Sequence, residues 1–579
     1  MTETLHTDAP VGRLSVPAQE FLAARDTLLL HRTDLAKAVE AFRWPRPEHF
    51  NWALDYFDTV ATRGDRDALR VVGSGGPASD RLIGYGELAR RSGQVANWLR
   101  GIGVRRGDPL LLMLGNRAEV WETMLAAIKL GAVVIPTYTT ATPGELADRL
   151  ERGEVRHVVA EAELADRFAG GPGGWQGIAV GGAAPGWQRY ADSLTAPEEF
   201  TPDGPTRADD PLFRYFTSGT TSRPKMVEHT HVSYPVGHLS GMYWNGVRPG
   251  DVHLNISAPG WAKHAWSSLF VPWNAEATVV ALDAARSTPA EILEVLRTRG
   301  VSTFCAPPTV WRGLAAHGLG DRPPALRETV AAGEPLETSL VELVGREWGL
   351  DLRDGYGQTE TTGQIGNPPG RPALPGSMGF PLPGYTVVLV DPESGEPVAD
   401  GVPGEVCLDL ADGPLGLMRG YVGDPGRTAK ALAGGYYRSG DLARREPDGS
   451  LTYLARSDDM FKSFDHRISP RELEDALLRH PAVADAAVVP VPDPVGLWAP
   501  KAFVVPAAGR PASAATAREI LDAASALLPP EKRVRVLEFA AALPRTTSGK
   551  VRRAALREQG PRAAEYRAEE PGAPTPTVP

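Results

Sequence analysis

Residues 214–231 read RYFTSGTTSRPKMVEHTH. The apolar run at 212–216 predicts a strand, which passes into a short loop of small and hydroxyl-bearing residues, Thr217, Ser218, Gly219, Thr220 and Thr221, and ends at Lys225. A loop of this composition lets backbone N–H groups and hydroxyls surround phosphate oxygens, and the lysine adds positive charge. The spacing is not the GxxxxGK[ST] of P-loop nucleotide hydrolases, so a different phosphate-binding frame is expected. His229 and His231 flank Thr230, but with no third ligand they do not make a metal site.

On the N-terminal side of this stretch, strand and helix signals alternate. PLLLML at 109–114 reads as a buried strand between Gly107-Asp108 and Gly115-Asn116. Val120, Trp121, Met124, Leu125 and Ile128 then recur at helical spacing over 118–130, with Gly131 placed to cap the helix and a new strand starting at Val133. His157 to Ala160 repeats the strand signal. Strand, helix and strand with short connections imply parallel pairing in an α/β sheet. The stretch 168–186, rich in Gly and Pro, reads as a surface excursion.

The last fifth of the chain changes character. Ser469-Pro470-Arg471-Glu472 has the order of a capping box, opening a helix with Leu473 and Leu477 on one face. Pro481 stops it, residues 486–491 read as a strand, and a second helix and strand follow over about 515–539. The expected fold is therefore α/β, a large N-terminal domain over 1–455 and a small α+β domain over 460–560. From Glu569 the Pro-rich text EEPGAPTPTVP reads as a disordered tail, placed within 561–579.

Composition narrows the functional classes. The 579 residues, with 42% hydrophobic and 23% charged, are enough for several cores. A net charge of −10, from 61 basic against 71 acidic residues, does not suit a chain that coats nucleic acid or an anionic membrane. The two cysteines, Cys305 and Cys407, are far apart and support neither a disulfide framework nor a structural zinc site; Cys305 reads as a small buried residue. The N-terminus lacks a basic-then-apolar leader and no apolar run is long enough to span a bilayer, so a cytoplasmic protein with small-molecule partners is expected.

TSGTTSRPK resembles the phosphate-loop signature of the adenylate-forming superfamily, which includes acyl- and aryl-CoA synthetases. Further segments resemble that family's signatures in the same order: Gly333-Glu334-Pro335, its adenine-contact segment; Asp354-Gly-Tyr356-Gly-Gln358-Thr359-Glu360, its most diagnostic motif; Tyr437-Arg-Ser-Gly-Asp441, its ribose segment; Arg456-Ser-Asp458-Asp459, its hinge at 456–459; and Pro544-Arg-Thr-Thr-Ser-Gly-Lys550, its catalytic-lysine loop. PKMVEH, GWAKHAWSSLFVPW and VPDPV look most like the medium-chain and benzoate-type branch. The resemblance implies an ATP- and Mg²⁺-dependent, AMP-forming ligase that adenylates an aromatic or medium-chain acid and passes it to CoA. Thr217, Ser218, Gly219, Thr220, Thr221 and Lys225 would hold the β- and γ-phosphates, and Thr359 would contact the α-phosphate. Glu360 would be the metal ligand. Gly333, Glu334, Pro335, Asp354, Tyr356 and Gln358 would line the nucleotide, Asp441 would accept the ribose hydroxyls beside Arg456, and Lys550 would bridge the carboxylate and the α-phosphate. Trp261, His264 and Trp266 fall where the family lines its acyl or CoA channel; core packing is the competing reading of such aromatics.

The sequence departs from the family at two places. Ser222 and Arg223 stand where a glycine and an apolar residue are usual. In the loop usually reading K-x-x-G-Y-R-I, this chain has Lys462-Ser-Phe-Asp465-His466-Arg467-Ile468. Arg467 keeps its place in the nucleotide set, while Asp465 stands for the glycine beside which pantetheine passes, and His466 for the tyrosine. A carboxylate there opposes the approach of a thiol nucleophile. Two acceptors therefore stay open, CoA or an amine, the latter in an ATP-dependent diazotase that activates nitrite for an aminobenzoate-like substrate. A non-catalytic nucleotide-binding homologue is the third reading, and retention of Lys550 speaks against it.

Overall fold

The computed structural model describes residues 15–217, 223–283, 287–457, 459–463, 466–493, 497–529, 532–545, 551–559 and 565–568. The chain forms two compact units: Met1–Gly219 with Arg223–Val387 and Leu408–Tyr437, and Thr220–Ser222 with Val388–Cys407 and Arg438–Pro579.

The first unit holds two large mixed sheets. One has eight strands in the order Gly420–Tyr421, Lys225–Thr230, Pro211–Thr217, Val133–Pro136, Pro109–Met113, His157–Glu161, Gln176–Val180 and Gln188–Arg189. Its centre is parallel, as the strand-helix-strand pattern implies, and the hairpin Pro211–Thr217/Lys225–Thr230 adds an antiparallel flank. The expected helix runs over Ala118–Leu130 and ends at Gly131, whose left-handed φ of 74° lets the chain turn directly into the next strand. The excursion expected at 168–186 is corrected here: Gln176–Val180 is a strand, buried from Gly177 onward and parallel to His157–Glu161. Gly177 makes this possible, since a Cβ there would lie 2.2 Å from the Trp187 ring that covers it.

The other sheet has nine strands, with parallel pairing through Leu352–Gln358, Glu328–Ala332, Thr303–Ala306, Val252–Asn255, Thr278–Ala281 and Asp67–Val71. Beyond Leu352–Gln358 lies antiparallel Thr362–Gly366, which places the turn 358–361 at the C-terminal end of the parallel strands. Cys305 is buried in this sheet.

In the second unit, Tyr436–Arg445 and Leu451–Arg456 form an antiparallel ribbon. A further sheet pairs Val483–Asp493, Leu497–Pro506, Val536–Phe539 and Glu565–Arg567. The helices Pro470–Leu478 and Ala514–Leu527 cover it, burying Leu473, Leu477, Ile520 and Leu521 against Val488 and Leu537. Only half of the expected capping box forms: Ser469 accepts from the Glu472 N–H at 3.4 Å, while the Glu472 carboxylate pairs with Lys532 at 2.8 Å. Among the described residues no helix is long and apolar enough to cross a membrane.

Candidate active site

The hairpin Pro211–Thr217/Lys225–Thr230 sets Thr217 opposite Lys225, so both ends of the phosphate-loop text are held by one strand pair. Ser218, Gly219, Thr220 and Thr221 lie outside the described residues. Lys225 points its ammonium at the face of Tyr421, 5.2 Å from the ring centroid, and at Glu360 Oε1, 3.7 Å away. The Tyr421 hydroxyl donates to that same Oε1 at 2.9 Å. Tyr421 reaches this position because Gly420–Tyr421 pairs as an edge strand beside Val227 and Glu228. A cation, a phenol and a carboxylate are thus joined at the mouth of the phosphate hairpin, with Glu360 only 8% exposed.

Glu360 follows Thr359 in a tight turn. Thr361 N–H donates to the Gln358 carbonyl at 3.2 Å and the Thr361 hydroxyl accepts from Gln358 N–H at 3.2 Å. Three further bonds pin the turn from outside. Met418 N–H donates to the Glu360 carbonyl at 2.7 Å, Tyr437 hydroxyl to Gln358 Oε1 at 2.6 Å, and His229 Nε2 to the Thr359 carbonyl at 2.6 Å. Burial pushes the His229 imidazole down to about 4, against the opposing pull of that bond, so the ring is neutral. Along Leu352–Gln358, strand alternation gives Asp354, Tyr356 and Gln358 a common side. The Asp354 carbonyl accepts from Trp244 Nε1 at 3.2 Å, and the Trp244 ring covers Gly355 and Gly366, where a Cβ would lie 2.3 and 2.4 Å from it.

Gly333 opens its segment with a φ of 105°. The Glu334 carboxylate is held by Thr309 Oγ1 at 2.7 Å and by Arg312 at 3.1 Å, which leaves backbone and the Pro335 ring as the groups this segment offers to a flat base. Lys263 donates to the Ala332 carbonyl just before it, at 3.1 Å.

Trp261, His264 and Trp266 each pack against different neighbours. Trp261 stacks on Tyr138 with centroids 4.9 Å apart. His264 is buried, contacts Asn116 Oδ1 at 3.0 Å and lies beside Trp121. Burial pushes it down to about 3. Trp266 faces Trp244 at 5.9 Å. His231 is buried as well, with burial pushing it to about 3.

In the second unit, Asp441 and Arg456 are direct partners across the ribbon, 3.3 Å apart, with Tyr453 hydroxyl 3.3 Å from the Asp441 carboxylate. Gly440, at φ 73°, lets the Arg456 guanidinium pass over the backbone: a Cβ would meet it at 2.9 Å. Asp459 pairs with Arg553 at 3.1 Å and Arg557 at 2.8 Å, and Arg553 also pairs with Glu474 at 2.8 Å. Arg553 is therefore bound in an ion cluster. Lys462 and Arg467 are backbone partners in a small hairpin, as are Ser463 and His466. Asp458, Asp465 and Lys550 lie outside the described residues.

Tyr421 is the functional candidate that sequence reasoning missed, and His229 was weighed only as a metal ligand. Neither has a local signal, since both act on the turn 358–361 through strands remote in sequence.

The hairpin with Thr217 and Lys225, the Thr359–Glu360 turn and the Asp441–Arg456 pair carry segments that resemble the signatures of adenylate-forming enzymes. The family model of AMP-binding enzymes matches residues 56–422, and that of the AMP-binding enzyme C-terminal domain matches 472–550. The 4-hydroxybutyrate–CoA ligase 1 of Metallosphaera sedula is 38% identical over 520 residues, 88% of this chain and 90% of that protein. The mitochondrial acyl-coenzyme A synthetase ACSM3 of Mus musculus is 33% identical, over 90% of this chain and 92% of that protein. Among solved structures, the anthranilate CoA ligase AuaEII in complex with anthranoyl-AMP superposes with a TM-score of 0.80 at 28% identity, over 88% of this chain and 97% of that one. The chain belongs to the AMP-binding enzyme family, among the acyl- and aryl-CoA synthetases of the adenylate-forming superfamily. It is an AMP-forming ligase.

Proposed function

We propose that this ligase joins an aromatic or medium-chain carboxylic acid to CoA through an acyl-adenylate. The carboxylate oxygen attacks the α-phosphorus of ATP, the bond to the β-phosphate breaks and pyrophosphate leaves. The CoA sulfur then attacks the acyl carbonyl, its proton passes to solvent and AMP leaves. The observation that carries the reading is the Lys225–Tyr421–Glu360 cluster beside the pinned Thr359 turn, because displacement at phosphorus is catalysed chiefly by positioning and charge neutralisation. Lys225 and Thr217, with Ser218, Gly219, Thr220 and Thr221, take the β- and γ-phosphates, and Thr359 the α-phosphate. Gly333, Glu334, Pro335, Asp354, Tyr356 and Gln358 line the nucleotide, and Asp441 with Arg456 takes the ribose.

Glu360 fits Mg²⁺, a hard cation that takes one or two carboxylates together with phosphate oxygens. When bound it supplies charge neutralisation on those oxygens. Residues 456–459, with Asp458, serve as the hinge between the domains at 1–455 and 460–560, and Lys550 from the latter stabilises the charge that develops at the α-phosphate. The names of two relatives, a 4-hydroxybutyrate and an anthranilate ligase, extend the acids worth testing and support CoA as acceptor.

The test is pyrophosphate release with ATP and Mg²⁺ across benzoate, aminobenzoates, octanoate, 4-hydroxybutyrate and nitrite, each with and without CoA. Release with a carboxylate and a thioester in the product is expected. Release that requires nitrite plus an aromatic amine and ignores CoA would overturn the thioester step. Lys550→Ala should lower pyrophosphate release by on the order of 10²–10³-fold while ATP still binds; an unchanged rate removes that residue from the step.

A further inference from the structure

We infer that His229 is a positioning residue of adenylate formation, which fixes the Thr359–Glu360 peptide by donating Nε2–H to the Thr359 carbonyl. The inference rests on the adenylation reading above, in which Thr359 meets the α-phosphate and Glu360 carries the metal charge.

The imidazole is fully buried, and both ring nitrogens are committed. The carbonyl can only accept, so Nε2 carries the proton at 2.6 Å and Nδ1 is an acceptor. Nδ1 lies 3.0 Å from Ser233 Oγ, and that oxygen accepts from the Thr230 N–H at 2.9 Å, which leaves the Ser233 hydroxyl proton for Nδ1. The tautomer is thus set by a serine four residues on, and the Tyr234 ring at 4.4 Å holds the plane.

The bond joins two motifs that sequence separates. His229 lies on Lys225–Thr230, the strand that begins with the phosphate lysine, while Thr359 lies 130 residues away. One peptide plane sets the directions of the Thr359 and Glu360 side chains together. If that plane rotates, the α-phosphate contact and the metal carboxylate move as a pair. Replacing a residue required only for packing would affect both half-reactions alike; replacing one that orients the peptide would affect adenylation alone.

The experiment uses the full chain and reads the two half-reactions separately. Carboxylate-dependent exchange between ATP and labelled pyrophosphate reports adenylation, and thioester formation from supplied acyl-adenylate plus CoA reports the second step. For His229→Leu, exchange should fall by about 10- to 100-fold, the loss that small misplacement of reacting groups produces, with the KM for ATP within about threefold and the second step unchanged. His229→Gln, whose amide N–H can reach the same carbonyl, should recover most of the lost exchange. Equal rates in the leucine variant and wild type would overturn the inference. So would parallel losses in both half-reactions that glutamine does not rescue, the pattern of a packing role. If the leucine variant does not fold, Ser233→Ala decides, because it keeps the ring but removes the group that sets its tautomer; exchange equal to wild type there overturns the inference. A wild type that shows no exchange with any acid would instead overturn the adenylation reading itself.

Discussion

Residues 260–266, GWAKHAW, and residues 354–360, DGYGQTE, are equally long and both rich in chemistry-bearing side chains, yet the fold uses them differently. The second lies on a strand and its turn. Period-two alternation keeps Asp354, Tyr356 and Gln358 on one side, and the turn then presents Glu360 to Lys225 and Tyr421. The first runs through a four-residue helix, Ala262–Ala265, into a widened π-helical turn, Trp266–Phe270. At roughly 100° per residue, positions 264 and 266 are sent to nearly opposite sides. Trp261 joins Tyr138, His264 joins Asn116 and Trp121, and Trp266 joins Trp244. The strand keeps one segment's polar side chains together, while the helical turn sends the other's to separate neighbours.

If that contrast is right, substitutions in the two segments should differ in kind. The largest effect belongs to Glu360→Gln, which keeps the shape but removes the charge: adenylation should fall by on the order of 10²–10³-fold, as expected for loss of one charge-stabilising group. ATP binding by calorimetry should also lose most of its dependence on Mg²⁺, and a variant with wild-type turnover would break the assignment of this turn.

Next in size is Tyr421→Phe, which keeps the ring face for Lys225 but removes the hydroxyl that donates to Glu360. A lost hydrogen bond to a charged group is worth about 1.5–3 kcal/mol, so about a tenfold or greater rise in the Mg²⁺ needed for half-maximal exchange is expected. Tyr421→Leu removes the ring as well and should raise the KM for ATP in addition. Identical behaviour of the two variants would show that the ring face contributes nothing.

His264 tests the other segment through pH. Its ordinary value of 6.5 is pushed to about 3 by burial, so the unfolded chain takes up a proton that the folded one refuses. This group therefore costs no stability above pH 6.5, and stability is lost as pH falls from there toward 3. In urea melts His264→Gln should flatten that acid limb while adenylation at neutral pH is retained; an unchanged limb would mean that other buried histidines, such as His229 and His231, carry it.

Trp261→Ala should be mildest, since its main aromatic partner is a stacked Tyr138 and such pairs are worth about 0.5–1.5 kcal/mol beyond area. A change of a few-fold in KM for acid or CoA, with kcat for exchange unaltered, would mark Trp261 as channel lining. No change in either constant would leave it as packing.

Much of this was written locally. The helix Ala118–Leu130 with its Gly131 cap follows from short-range pattern, as does the Asp354–Glu360 text. The strand Gln176–Val180 was not legible, because its few apolar residues sit in glycine-rich text and Trp187 supplies the missing cover. The capping box at Ser469 was half wrong for a related reason: Lys532, remote in the chain, competes for Glu472.

The amino-acid order alone showed which segments resemble the family's phosphate, ribose and metal motifs, since each is a short run whose residue types and spacing are visible within one turn or strand. It did not specify Tyr421 or His229 as parts of that site. Their bonds to Glu360 and Thr359 span 61 and 130 residues and join the two large sheets: Gly420–Tyr421 is held beside Lys225–Thr230 by pairing in the eight-stranded sheet, while the turn follows a strand of the nine-stranded one. Pairing of strands far apart is a property of the assembled sheet, so no local pattern encodes it.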